Sequence, residues 1–367
     1  MIEPFRIAVD DAVLDDLHRR LGATRLPDEL DDTGWEYGIP VSYVRELVAY
    51  WRDGYDWRAE EARLNAFEQF RAEIDGQPIH FVHARSASPD ALPLLLMHGW
   101  PGSIVEFLTA IPLLTESFHV VAPSLPGYGF SGPTRERGWD TWRMARAFAE
   151  LMASLGYNRY GAQGGDWGAQ IATRIGVVDA EHCVGLHLNM PVAEKPSDPV
   201  ELTAADKADL AAMGTFARAE TGYAAEQSTK PQTVGVGLHD SPAGLLAWMV
   251  EKFQAWSDCD GNPESVFTRD QLITNVMTYW VTGTSASAAR LYWEHRASGE
   301  KAPDYVAVPT GVARYPKEIV RYPRSWVERR YNLTRWTDMP RGGHFAAMEQ
   351  PDAFAADVAA FFATRRG

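Results

Sequence analysis

Gly164-Gly165-Asp166-Trp167-Gly168 sets one acidic side chain between glycines, after a short apolar run and ahead of a helix expected to open near Ala169. This is a G-x-D-x-G form of the nucleophile elbow, in which the central residue sits on a strained turn and the glycines let strand and helix backbones approach. A carboxylate in that position attacks an alkyl carbon rather than an acyl carbon and leaves an alkyl ester on the protein. No G-x-S-x-G occurs anywhere in the chain. Standing alone, the fragment also fits a strand-to-helix loop with an aspartate cap.

It does not stand alone. Arg341-Gly342-Gly343-His344-Phe345 follows the last predicted strand, a place from which an imidazole reaches such an elbow. Most of the ten histidines have duller readings. His80 and His83 lie three apart on a predicted strand and face opposite sides, which spoils them as a metal pair. A histidine base needs an acid to fix its tautomer, and Asp304, Glu318, Glu328 and Asp338 are the candidates. Glu318 is preferred, because it ends a loop expected over residues 309–318, whereas Asp304 precedes a strand and Asp338 is on the exit of the final one. The order Asp166, Glu318, His344 is then nucleophile, acid, histidine.

His98-Gly99-Trp100-Pro101 ends another apolar run and is placed to offer a backbone N–H from Trp100, facing that of Trp167. Two such donors make an oxyanion hole for charge developing on the ester carbonyl. His98, Pro101 and Phe345 are expected around the substrate pocket. Gly127-Tyr128-Gly129-Phe130-Ser131-Gly132 fits G-x-G-x-x-G, but Pro133 and several polar residues intervene before Trp139, so no helix N-terminus would face a pyrophosphate. Asn332-Leu333-Thr334 fits a glycosylation acceptor, with nothing that exports the chain.

The elements that must position these residues alternate in type. Residues 92–97, 118–122, 160–164 and 184–189 read as buried strands, and residues 139–155 carry Trp142, Ala145, Phe148, Met152 and Leu155 at helical spacing. Strand, helix, strand repeats imply a parallel sheet. Upstream, residues 70–74 and 79–84 read as a hairpin about Asp75-Gly76. Residues 11–21 form an amphipathic helix with Val13, Leu14, Leu17 and Leu21 on one face and Asp10 as its cap, and a second helix begins near Ser42. Residues 191–302 read as an inserted helical lid, after which strands at 305–308 and 333–336 and a helix at 352–364 complete the sheet. The expected fold is therefore α/β, with a core of residues 70–190 and 303–367, the lid, and an N-terminal segment of residues 1–69.

Composition bounds the partners. The chain has 367 residues, 46% of them hydrophobic and 23% charged, with a formal net charge of -14, so nucleic acid and anionic membrane are poor partners. Cys183 and Cys259 are the only cysteines and form no ligand cluster, which excludes a disulfide scaffold and a zinc site. The N-terminus lacks a secretory pattern, and residues 91–97 fall well short of the roughly 18 apolar residues of a membrane span. A cytoplasmic protein acting on a small molecule, without metal or organic cofactor, is expected; oligomeric state is open, a homodimer included.

Together these segments resemble the microsomal-type epoxide hydrolases of the α/β-hydrolase superfamily. The resemblance runs through residues 14–35, His98 to Ser103 with Glu106-Phe107, and residues 123–131, 164–168, 274–292 and 341–348. It implies an α/β-hydrolase fold and conversion of an apolar epoxide to a vicinal diol, with Glu318 as acid and His344 as base. It also implies two lid tyrosines over the epoxide oxygen, which fall on Tyr223 in Glu220-Thr221-Gly222-Tyr223 and on Tyr292 in Arg290-Leu291-Tyr292-Trp293-Glu294. A phenol with pKa near 10 suits the task, since it donates to an alkoxide and stays protonated at neutral pH. The resemblance further implies that the N-terminal segment wraps core and lid, that Trp100-Pro101 is cis, and that the enzyme is a soluble, bacterial-like one, without the hydrophobic anchor of the animal members. Two other readings remain: a haloalkane dehalogenase holding halide with Trp100 and Trp167, and a non-catalytic relative that binds a small ligand.

Overall fold

The structure, a computed structural model, describes residues 1–299 and 301–365. Strand β1 (Ile2–Phe5) runs antiparallel to β2 (Gln69–Ile74), which turns through Asp75 and Gly76 into β3 (Gln77–Ala84). Both turn residues have positive φ, 50° and 70°, the backbone that a two-residue hairpin requires and that Asp-Gly supplies. β1 was not expected: it is four residues long with Glu3 and Pro4 exposed, too short for any periodicity to register.

The parallel part of the sheet is built from β4 (Leu92–Met97), β5 (Phe118–Pro123), β6 (Tyr160–Gly164), β7 (Cys183–Leu188), β8 (Val306–Arg314) and β9 (Tyr331–Asp338). Among the described residues the strands lie in the order β1-β2-β3-β5-β4-β6-β7-β8-β9, so the mostly parallel α/β sheet is as expected. Leu94, Leu95, Leu96 and Met97 of β4 are all fully buried, because helices cover both faces and no alternation survives. Of most consequence for the site, β4 pairs directly with β6 and Met97 is in register with Gly164. The loops that follow these two strands therefore leave the sheet side by side.

Helices connect the strands. Asp140 accepts from the N–H groups of Trp142 and Arg143 and so starts the helix Thr141–Ser154, two residues later than its apolar spacing suggested. Asp10 does not do the same for the helix Asp11–Gly22, whose first turn has no side-chain cap. The helix Trp57–Leu64, capped by Asp56, was not anticipated.

Residues 309–314, expected in a loop, belong to β8. Thr310, Gly311 and Val312 pair with Leu186, His187 and Leu188 on one side, and the pairing with β9 is interrupted between Val306 and Pro309. That irregularity lets a proline sit inside the strand, and it is why a proline was misread as the strand's end.

Among the described residues every regular element between β7 and β8 is helical, including the helices Ala204–Ala219, Gly222–Thr229, Pro242–Trp256, Arg269–Trp280 and Ser285–Ser298. The N-terminal segment reaches them through polar contacts that include Arg20 to Asp240 at 2.7 Å, Glu46 to Arg269 at 3.2 Å, Tyr50 to Asp270 at 2.7 Å and Tyr55 to Thr274 at 2.9 Å. No helix of the described residues is long and apolar enough to cross a membrane. Cys183 and Cys259 are buried free thiols.

Candidate active site

At the end of β6 the chain turns so sharply that Asp166 adopts φ +47°, and the helix Asp166–Val178 opens on that residue rather than at Ala169. Left-handed backbone on an L-residue costs energy and persists where surrounding structure holds it. The holding is tight. A Cβ on Gly164 would lie 2.3 Å from the carbonyl of Gly168, and one on Gly168 would lie 2.2 Å from the carbonyl oxygen of Met97. Both positions exclude every side chain, which is the physical content of the G-x-D-x-G pattern.

Because β4 neighbours β6, the His98 to Trp100 loop lies against the elbow. The Trp100 N–H donates to Asp166 Oδ1 at 2.8 Å, and the Trp167 N–H also donates to this carboxyl. The two backbone donors expected to face each other thus meet on one acidic group. Withdrawal from water raises the pKa of Asp166, while the nearby His344 and these two N–H groups oppose the rise.

His344 Nε2 stands 3.6 Å from Asp166 Oδ2, and His344 Nδ1 is 2.7 Å from Glu318 Oε1. Glu318 is 1% exposed and lies four residues beyond the end of β8. Its Oε1 also accepts from the N–H of Ile319 at 2.7 Å. Burial by itself would push the imidazole down, but the charge and hydrogen bond of Glu318, with Asp166 and Glu106 beyond, lift it to about 9. The turns carrying acid and base are joined: Lys317 N–H donates to the Gly342 carbonyl at 3.1 Å, and Lys317 forms an isolated parallel bridge with Gly343. The His344 N–H donates to the Trp256 carbonyl at 2.9 Å.

Tyr223 and Tyr292 come from two different helices and both contact Trp100. The Tyr223 ring stacks on Trp100 at 4.9 Å and 8°. The Tyr292 ring stands edge-on to Trp167 at 4.8 Å, and the two phenol rings are 5.9 Å apart. Burial pushes both phenols further up, so both are protonated at neutral pH. The Lys252 ammonium lies 5.0 Å from the centre of the Tyr223 ring.

The three residues expected around the substrate pocket divide. His98 is a loop pin: its Nδ1 bonds the Gly99 carbonyl at 2.9 Å, its Nε2 accepts from the Leu125 N–H at 3.2 Å, and burial lowers it to about 4. Phe345 stacks on Phe253 at 4.0 Å and, with His98, borders a small enclosed cavity beside Asp166 and His344. Pro101, joined to Trp100 by a cis bond, is not in that lining, and its carbonyl accepts from Asn275 Nδ2 at 2.8 Å. The decoy glycines form a short 3-10 turn at Gly129–Ser131, and the next helix starts only at Thr141, so nothing there cradles a phosphate.

Comparison with known proteins gives the family. The family described as epoxide hydrolase N terminus matches residues 2–107, and the α/β hydrolase fold family matches residues 93–239. A protein described as a putative epoxide hydrolase of Stigmatella aurantiaca is 46% identical, over 97% of this chain and 84% of its own length. Epoxide hydrolase 1 of Sus scrofa is 37% identical over 98% of this chain and 88% of its own. The chain belongs to the epoxide hydrolase family. Among solved structures, the juvenile hormone epoxide hydrolase of the silkworm Bombyx mori superposes with a TM-score of 0.93 at 34% identity, covering 100% of this chain and 95% of that one. The epoxide hydrolase of Aspergillus niger does so with 0.91 at 35% identity, covering 99% and 96%.

Some residues of this epoxide hydrolase family site carry no role in the sequence reading. Glu349 accepts from the N–H groups of Asp258, Gly343 and Phe345 at 2.8, 2.9 and 3.0 Å and so clamps the His344 turn from both sides. Burial nonetheless raises Glu349 to about 7. Asn275 ties the loop after β4 to the helix Arg269–Trp280 by donating to the Pro101 carbonyl and accepting from Ser103 at 2.8 Å. Glu349 lies five residues past His344, a spacing that signals a turn clamp only once the turn is known. Asn275 had no local signal.

Proposed function

We propose that this chain hydrolyses an apolar epoxide to a vicinal diol by way of an alkyl ester on Asp166. The observation that carries the reading is the Asp166 carboxyl itself, held by the Trp100 N–H on one oxygen and placed 3.6 Å from His344 Nε2 on the other. Serine, thiol and metal play no part in it.

In the resting state His344 is an imidazolium and Asp166 a carboxylate, each favouring the other's charged form. The substrate binds between Asp166 and the phenols of Tyr223 and Tyr292, against Trp100 and Trp167, whose apolar rings suit an apolar epoxide. Asp166 attacks a ring carbon, the C–O bond breaks, and a phenol gives its proton to the leaving oxygen. The proton of His344 restores that phenol. Ester formation also removes the negative charge of Asp166, so His344 loses a partner and is left neutral, which is the form a base requires.

In the second step His344, oriented by Glu318, takes a proton from water as the oxygen adds to the ester carbonyl. The Trp100 and Trp167 N–H groups hold the charge that develops there. The diol leaves, Asp166 is a carboxylate again, and His344 is an imidazolium. Protons and charge balance over the cycle, with one water consumed.

In this reading residues 191–302 act as a lid, residues 1–69 wrap it against the core of residues 70–190 and 303–367, and the enzyme works in the cytoplasm. A size measurement in solution decides between a monomer and a homodimer. The paired tryptophans keep a second reading in view, halide capture after dehalogenation, because an indole N–H suits a halide.

Single-turnover hydrolysis of styrene oxide in ¹⁸O-water separates these readings. The first diol should carry unlabelled oxygen from Asp166, with the label appearing in the Asp166 peptide. Label in the first diol would mean direct attack by water. Chloride release from a chloroalkane with no diol from the epoxide would favour the second reading.

A further inference from the structure

One carboxyl in the site is unused by the cycle described so far. Glu106 sits on the 3-10 turn Ile104–Phe107, whose start is capped by Ser103 and tied to Asn275. It is half-buried, and its side chain turns back over the loop after β4. A Cβ on Gly102 would lie 1.5 Å from Glu106 Oε1, so the carboxyl occupies the space that any other residue at 102 would fill.

The group faces an enclosed cavity lined by Glu106, Gln163, Asn189, Asp166 and His344, with about 10 Å³ of room for a water centre. That is the room of about one water. The lining asks for one. Among the described residues no protein donor reaches the Glu106 carboxyl. Gln163, 1% exposed, donates its Nε2 to Asn189 Oδ1 at 3.3 Å but leaves Oε1 buried without a partner. A buried amide oxygen in a native interior is nearly always paired, and where protein does not pair it, water does. The third side is His344 Nε2, whose 3.6 Å to Asp166 Oδ2 is too long for a hydrogen bond and long enough to leave a bridging water its place.

We propose that this cavity is the seat of the hydrolytic water, and that Glu106, with Gln163, holds it for attack on the Asp166 ester. The inference rests on the reading of Asp166 as the nucleophile. Glu106 is neutral when it does so: burial is the largest cause that raises it to about 8, and in the ester state the opposing charges of Asp166 and His344 are both gone. A neutral carboxyl donates its O–H to the water oxygen. The water donates one hydrogen to Gln163 Oε1 and the other to neutral His344 Nε2, and one lone pair remains, directed at the ester carbon. During attack the proton on the His344 side moves to Nε2, the new C–O bond forms at the Asp166 carboxyl carbon, and Glu106 keeps its own proton.

The test compares two steps in Glu106→Leu, Glu106→Gln and the unaltered enzyme, with styrene oxide as substrate. Alkylation of Asp166 is read by rapid-quench intact mass, and hydrolysis of the ester by diol release in a single turnover. In Glu106→Leu alkylation should stay within about threefold of the unaltered enzyme while ester hydrolysis slows about 100-fold, the cost of a misplaced reactant. The ester should then accumulate. Glu106→Gln, whose amide still donates, should recover a large part of the hydrolysis rate. Gly102→Ala, which drives the carboxyl from its place, should resemble Glu106→Leu.

Diol release at the normal rate in Glu106→Leu overturns the inference. So does an equal fall in both steps, which marks a merely structural residue, and so does a Glu106→Gln variant as slow as Glu106→Leu. If the unaltered enzyme forms no ester on Asp166, the failure lies with the nucleophile reading and not with the water site.

Discussion

The His344 imidazole is bonded to Glu318 at 2.7 Å through Nδ1 and stands 3.6 Å from Asp166 through Nε2. One nitrogen is committed to the acid and the other is only near the nucleophile. This asymmetry separates the two halves of the cycle, since the carboxylate attacks without help from the ring and the ring acts on water afterwards.

Replacing His344 with Gln should therefore stop the cycle halfway. Incubation with styrene oxide should give an intact mass raised by one substrate, with the addition mapped to the peptide containing Asp166. Diol formed at the normal rate by this variant would contradict the assignment.

The pH profile should carry the signature of the raised imidazole. His344 titrates at about 9, and each turnover needs its proton to restore the phenol after alkylation, so the steady-state rate of diol formation should fall as pH rises through that value. In Glu318→Gln the negative partner of Nδ1 is gone and burial, which favours the neutral ring, is less opposed. The alkaline limb should then move to lower pH. A limb that stays in place would assign it to another group.

The phenols should matter to the first step alone. Tyr223→Phe and Tyr292→Phe should each slow alkylation by about 100-fold, in the range of a lost general acid, and leave hydrolysis of a preformed ester nearly unchanged. Rapid-quench measurement of both steps checks the split.

Lys252 is buried and ion-paired with Glu251, with its ammonium 5.0 Å from the centre of the Tyr223 ring, where the cation offsets the charge of Glu251, which disfavours the phenolate that forms transiently. Lys252→Met keeps most of the side-chain volume and should slow alkylation about 2- to 30-fold, the span of a cation held against an aromatic face. No change in that rate would remove Lys252 from the reaction.

Stability should depend on a carboxylate remote from the chemistry. Asp357 accepts from Thr337 at 2.8 Å and from Arg335 at 3.0 Å and pairs with His187 at 3.0 Å. Burial would raise it, yet these partners hold it well below the usual carboxylate range. With a depressed folded-state value, its contribution is present above the ordinary aspartate pKa and is lost as pH falls below it. Asp357→Ala should cost about 3–5 kcal/mol at neutral pH, read by urea denaturation, with the ratio of alkylation to hydrolysis unchanged.

How much of this was legible depended on whether the signal was local. β4 and β6 were placed to the residue because β4 is an apolar run buried except at Pro93 and β6 a buried run rich in small residues, and each ends at a turn-forming sequence. β8 was cut at Val308 because Pro309 is a stop in isolation and only the irregular pairing beside it allows the strand to go on. Asp166 and His344 announced themselves through flanking glycines, and Glu318 through its place in chain order. Glu106 entered only as part of the family resemblance, without a role, and Gln163 and Asn189 carried no mark, because the three come from a 3-10 turn, the interior of β6 and the residue after β7. Only the order of the strands brings them into one cavity. Asn275 is the same case at greater distance, about a loop and a helix far apart in the chain.

The rung between Lys317 and Gly343 has a mechanical consequence. Two turns stitched by main-chain bonds swing as a unit, so the proton relay keeps its spacing whenever the molecule breathes. Admission of substrate and escape of product must then be accommodated across the cleft, by the helix that brings Tyr223, whose ring stacks on Trp100, because the helix that brings Tyr292 is bonded to the core through Ser287 to the Gly127 carbonyl, Tyr128 to the Ala288 carbonyl and Gly138 to Glu294.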